Sequence, residues 1–247
     1  MDVRAGDDGL KEFQVADFGL RIADGNSTMT RSMTVMMGLA AGMFAVAPFM
    51  IDAAPYEATM GLVYKIYFFH MPSAWMFLTA AVTAGVASFR LLFLKRPRAD
   101  HWVIAAAELA VLFGAFTLVT GPLWARKAWG VWWVWDARLT SSLMLFLIFV
   151  AYSLLRKYGG PGSDKLGAGL ALFGMANVPF IYVSVNYWRT FHPPTSVVPT
   201  LPVEMGIPLW FCVVAFTLLF VILLRLRARL EHQRERLEAL YLAEDDI

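Results

Sequence analysis

The fold class this sequence predicts is an all-α integral membrane protein, a six-transmembrane-helix bundle with both termini cytoplasmic. Three observations carry that expectation. Hydrophobic residues make up 59% of the 247 and charged residues only 16%, with a mean hydropathy of +0.58, a balance that a soluble fold of this length does not sustain. Apolar runs long enough to cross about 30 Å of hydrocarbon recur six times along the chain. Lysine and arginine gather in alternate connections between those runs, as the positive-inside rule requires.

The spans predicted in order are Met33 to Ile51, Pro72 to Leu94, Trp102 to Gly121, Leu139 to Leu155, Leu166 to Trp188 and Ile207 to Leu224. Each must be helical, because hydrocarbon offers no water to an unpaired backbone group. Arg21 and Arg31 precede the first span. Arg90, Lys95, Arg96 and Arg98 surround the turn that ends the second, Arg156, Lys157 and Lys165 the turn after the fourth, and Arg225, Arg227, Arg229, Arg234 and Arg236 follow the last. The opposite side holds only Lys65, Arg126, Lys127, Arg138 and Arg189. The net charge of +2 is thus the residue of a topological asymmetry, and no basic patch calls for a nucleic acid.

Outside the membrane domain of residues 33–224, residues 1–32 are polar and Gly/Asp-rich, lack the charged-then-apolar pattern of a signal peptide, and read as a disordered cytoplasmic extension. Met29 and Met33 would serve equally as translation starts, so no function is assigned there. Residues 225–247 pair Arg227 with Glu231 and Arg234 with Glu238 at i,i+4 spacing, which predicts that the last helix continues into water as a cytoplasmic tail. No glycine-rich phosphate loop is present, so any nucleotide-driven energy comes from a partner.

The segment 122–138, assigned to an outer loop, holds the densest chemical signal. Trp129-Gly130-Val131-Trp132-Trp133-Val134-Trp135-Asp136 places four tryptophans and an aspartate in eight residues. Indoles concentrate at membrane boundaries, and a plain aromatic belt would use them as anchors. So dense a cluster instead suits a flat, apolar, polarisable ligand such as a porphyrin.

Four histidines divide into two pairs. His101 opens the third span at its cytoplasmic end and His232 lies in the tail, ordinary interfacial placements that are not read as ligands. His70 precedes Pro72, which suits the first turn of the second span, and His192 precedes Pro193-Pro194, which hold it extended. Both lie on the outer side, flanking the tryptophans, and two imidazoles there suit the axial positions of a haem iron. Zinc would ordinarily ask for four ligands, more than that face offers. Cys212, the single cysteine, sits in the last span as a small apolar residue, and without a C-x-x-C-H the chain has no usual means of attaching haem covalently to itself.

These residues resemble a known family. The run Trp129-Gly130 to Asp136, continuing through Arg138-Leu139-Thr140, is similar to the W-G-x-x-W-x-W-D signature of the WWD-motif haem-handling proteins of cytochrome c biogenesis. Phe69-His70-Met71-Pro72-Ser73-Ala74-Trp75 and Asn186-Tyr187-Trp188-Arg189-Thr190-Phe191-His192, with the length and six spans, resemble within it the haem exporter protein C (CcmC) family over about Met33 to Leu226. The resemblance implies non-covalent haem b in transit at the outer face of the bacterial cytoplasmic (inner) membrane, with His70 and His192 as axial ligands. It implies a platform of Trp129, Gly130, Trp133, Trp135 and Asp136 for the haem and for the haem chaperone CcmE. Trp132 falls on a variable position. The further partners implied are the ABC-type pair CcmA/CcmB and the small protein CcmD. Members that perform the final haem ligation are longer or carry additional histidines.

Bland readings compete for several of these residues. Asp136 stands where an N-cap for the fourth span is wanted. Arg126, Lys127, Arg138 and Arg189 are plausible interfacial anchors, yet haem carries two propionates and these are the nearest outer cations; Arg138 and Arg189 are assigned to cofactor binding. Glu108, a carboxylate inside a span, is a functional candidate by default, weighed against a structural bond to a neighbouring helix such as one carrying Asn177. No general acid–base pair or activated nucleophile is visible, so the expectation is a haem-delivery protein and not an enzyme. A permease passing haem or another apolar anion through its own bundle should show polar positions at mid-depth, which are scarce. A b-type cytochrome subunit should bury its histidines within the bundle.

Overall fold

The computed structural model describes residues 31–188, 190–193 and 195–245. Six helices are long and apolar enough to cross a membrane, and no strand occurs among the described residues. They are α1 (Arg31–Ala53), α2 (Tyr67–Leu92), α3 (Asp100–Trp129), α4 (Ala137–Tyr158), α5 (Ser163–Tyr187) and α6 (Val203–Asp245). Short 3-10 turns at Leu62–Ile66, Pro97–Ala99 and Thr195–Thr200 lie in the connections. The expectation of an extension over residues 1–32 falls outside the described residues except for Arg31 and Ser32, which already belong to α1.

Packing follows the placement of small side chains. α2 lies mainly against α3 and α5, and the contact is lined by Ala80, Ala81, Ala84, Ala105, Ala106 and Ala110, all buried. Small residues at helix spacing let two backbones approach closely, which is how helices gain contact where lipid removes the hydrophobic drive between them. Gly85 shows how closely: a Cβ there would fall 2.4 Å from Cβ of Met175 on α5. α1 runs along α6, joined by Phe44–Phe216 with ring centroids 5.3 Å apart and by Met33, Ala40 and Ile222. Cys212 is buried among apolar neighbours, as expected.

Two helix starts and ends differ from the sequence expectation, and both differences matter at the site. α2 begins at Tyr67, so Pro72 stands inside the helix and not in its first turn, and His70 is carried on regular helix. α3 passes through Pro122 and continues to Trp129, two turns beyond the expected end at Gly121. Gly130 then stops it in the left-handed conformation, φ 77°, which glycine adopts without Cβ strain. The segment 122–138 is therefore helical up to Trp129, and only residues 130–136 form a linker.

Two polar residues singled out within the spans, Glu108 and Asn177, are paired across helices. Glu108 accepts from Arg227 of α6 at 2.6 and 2.8 Å; its partner is an arginine one helix over, not Asn177. The Asn177 amide instead donates to the Ser141 carbonyl of α4 at 3.0 Å. Arg227 also holds Glu231 at 2.7 Å, and Arg234 holds Glu238 at 3.0 Å, the i,i+4 pairs that accompany an unbroken α6.

Candidate functional site

The ends of α2, α3, α4, α5 and α6 that bear His70, Trp129, Asp136, Tyr187 and Val203 enclose a cavity of about 1060 Å³. That is at the top of the range of about 300–1,000 Å³ usual for small-molecule sites. Its wall includes both histidines expected on the outer side, His70 and His192, together with Trp129, Trp132, Trp133 and Arg138. The two histidines, 122 positions apart in sequence, thus face one space.

Their ring nitrogens are committed in the same way. Nδ1 of His70 lies 2.9 Å from the Thr120 hydroxyl, whose own proton goes to the Phe116 carbonyl at 2.8 Å. The hydroxyl therefore accepts, and Nδ1 of His70 carries the proton. Nδ1 of His192 lies 2.9 Å from the Pro193 carbonyl, which can only accept. In both rings this tautomer leaves Nε2 with a free lone pair, the form in which a histidine ligates a metal while its other nitrogen is anchored. Burial and then the Arg138 guanidinium push the imidazolium of His192 down to about 4, against the pull of the Pro193 carbonyl, so the ring is neutral at physiological pH.

The tryptophan segment divides by position. Trp129, at the end of α3, meets Trp124 edge-on at 5.4 Å and Phe191 at 5.9 Å. Trp133 turns to the cavity and meets Trp135 at 5.8 Å, but Trp135 itself is 75% exposed and off the cavity wall. Gly130 also lies off the wall; its role here is to end α3, and its carbonyl receives the Arg126 guanidinium. Asp136 caps α4, accepting from the Leu139 N–H at 2.8 Å, and its second oxygen receives the Thr190 hydroxyl. Thr190 in turn accepts the backbone N–H of His192 at 3.1 Å. Asp136 thus reaches the site through His192's backbone and not by lining it.

Of the four cations weighed as propionate partners, Arg189 lies outside the described residues; among the described three, Arg138 lies on the wall and Arg126 and Lys127 are exposed. Four wall residues carry a buried polar atom with no partner among the described residues: Tyr67 Oη, Trp124 Nε1, Trp133 Nε1 and Arg138 Nη1. All four can donate, and buried donors left unpaired cost about 1–3 kcal/mol each. A ligand with several acceptor oxygens, such as a dicarboxylate porphyrin, suits that set.

A sequence model described as haem exporter protein C (CcmC) matches residues 22–243. The chain belongs to the haem exporter protein C family. It is 37% identical over 204 residues to the haem exporter protein C of Bradyrhizobium diazoefficiens, covering 80% of this chain and 78% of that one. It is 34% identical over 179 residues to that of Escherichia coli K12, covering 71% and 73%. A ccmC-like mitochondrial protein of cytochrome c biosynthesis from Marchantia polymorpha is 33% identical over 203 residues, covering 81% and 87%. The match to the haem exporter protein C family includes the whole cavity wall.

Sequence reasoning missed Thr120, Thr190, Tyr67 and Trp124. Thr120 stands near the Trp129 end of α3, and Thr190 lies two residues before His192; neither carries a chemical signal of its own until the helices are docked.

Proposed function

We propose that this member of the haem exporter protein C family binds non-covalent haem b through Nε2 of His70 and Nε2 of His192, at the periplasmic face of a bacterial inner membrane. It presents that haem to a chaperone of the CcmE type during c-type cytochrome biogenesis. The observation that carries the reading is that each Nδ1 is tied to an acceptor, which leaves Nε2 unprotonated, and that both rings line one cavity. The four unpaired donors of the wall support it, since two propionates supply the acceptors those atoms lack. Haem is cargo here. The work of the chain is to hold, orient and release it, a transport or handling role and not catalysis.

Release follows from how the ligands are mounted. His70 rides on helix α2, whereas His192 sits on the irregular segment after α5, held by the Asp136–Thr190 link. His192 is the ligand that gives way first to an incoming one. The exposed Trp135 marks the side from which a chaperone approaches, with CcmA/CcmB and CcmD as the surrounding assembly. A permease reading loses its support from the internal pairing of Glu108 and Asn177.

An optical spectrum of the detergent-purified chain tests the ligation. A bis-histidine Soret band is expected, altered in both His70→Ala and His192→Ala; the same spectrum and occupancy in both variants would overturn the assignment. Cysteine labelling should find Trp132 and Thr195 on the outer side, and Gly162 and Leu240 inside. A cytoplasmic position 132 would remove the delivery role.

A further inference from the structure

At the opposite end of the bundle, His101, at the start of α3, meets His232 and Glu235 on the extension of α6. A ligand atom from each of the three lies within 4.8 Å of the other two. Nε2 of His101 is 2.7 Å from Oε2 of Glu235, and the two imidazole rings are 5.2 Å apart between centroids at 53°. Measured along α3 at about 1.5 Å per residue, this cluster is about 42 Å from Trp129, so it is separate from the haem cavity.

We infer that His101, His232 and Glu235 form a binding site for a divalent first-row transition-metal cation, of which Zn²⁺ is the representative. Two imidazoles and a carboxylate on one side of an ion are the donor set such metals take, leaving the remaining positions to water or a further ligand. His232 and Glu235 stand three residues apart, on one face of α6. Ligand bonds of about 2.0–2.2 Å require donors closer together than the present outer limit, and His232 and Glu235, both exposed, are free to turn inward. His101, 9% exposed, is the fixed member.

The charge pattern of the tail points the same way. Arg227 is engaged by Glu108 and Glu231, and Arg234 by Glu238. Glu235 has Glu231 at i−4, His232 at i−3, Glu238 at i+3 and Ala239 at i+4, so its own helix offers it no lysine or arginine at the spacings where pairs form. A metal ion supplies the positive charge, and in doing so it pins the α6 extension to the start of α3. The site is independent of the haem reading.

The test uses the full-length chain without a histidine tag, stripped of metal in detergent and titrated with Zn²⁺ against a chromophoric chelator. One equivalent is expected, with a rise in the thermal midpoint as Zn²⁺ is added. His232→Ala and Glu235→Gln, both at exposed positions, should weaken it by more than about tenfold, while a His70→Ala/His192→Ala double variant keeps it. The site is refuted if the wild type takes up no Zn²⁺ at micromolar concentration, if the tail variants bind as tightly as wild type, or if only the double variant loses the metal. In each of those results His101 and Glu235 are a helix-to-helix ion pair and nothing more.

Discussion

The Thr190 hydroxyl donates to the carboxylate of Asp136, the residue that caps α4. Because Thr190 also accepts the backbone N–H of His192, one aspartate couples the start of α4 to the position of a proposed iron ligand. Loss of the cap alone costs about 1 kcal/mol of stability. Loss of the coupling frees His192.

Asp136→Ala and Thr190→Val should therefore both accelerate haem transfer to an excess of a haem scavenger, and the double variant should be no faster than Asp136→Ala. Residues acting through one link are non-additive. Fully additive effects in this double-mutant cycle would show that the two residues act separately.

Thr120→Val removes the acceptor that fixes the His70 tautomer while leaving the ring in place. Haem affinity should fall about 10–100-fold, the usual effect of losing the partner behind a metal-bound histidine, and Thr120→Ser should restore it. An affinity unchanged in Thr120→Val would mean the hydroxyl contributes no orientation.

The pH dependence follows from His192. Its imidazolium is pushed from the ordinary value of about 6.5 down to about 4, so the folded protein binds fewer protons there than the unfolded chain between those values. The stability held by the neutral ring is complete above about pH 6.5 and is lost as pH falls toward 4. Arg138 is the second cause after burial, so Arg138→Gln should move the acid limb of haem rebinding to higher pH, read by the Soret band in a pH series. A limb that moved to lower pH would contradict the assigned sign.

Trp133 and Trp135 should separate holding from handing over. Trp133→Ala, on the cavity wall, should loosen haem by about 0.5–1.5 kcal/mol. Trp135→Ala, mostly exposed, should lower chaperone-linked haem more than bound haem when both are measured in the same membranes. Equal losses of both quantities in the Trp135 variant would place it in the pocket instead.

Gly85→Leu should lower the thermal unfolding midpoint in detergent, by the equivalent of about 1–3 kcal/mol or more, because its Cβ collides with Met175. Gly42→Leu on α1, which meets nothing within 4 Å, is the control and should stay within about 0.5 kcal/mol of wild type.

Local patterns in the sequence determined the membrane class, the six spans, the two histidines beside the tryptophans and the cap at Asp136, because hydropathy, residue spacing and capping act along a single stretch of chain. They also located the i,i+4 pairs of α6. Only the tertiary structure decided the partners that lie across helices: Thr120 behind His70, Thr190 between Asp136 and His192, Arg227 instead of Asn177 for Glu108, and His101 beside His232 and Glu235. Those depend on how each helix is rotated and how closely its small residues let it approach a neighbour, which hydropathy leaves open. The two helix boundaries at Pro72 and Pro122 belong with them. A proline in a helix leaves one carbonyl without its amide, and whether the helix continues is settled by the packing on either side of it; here Trp124 and Ala128 pack against a buried apolar cluster and the helix runs on to Trp129.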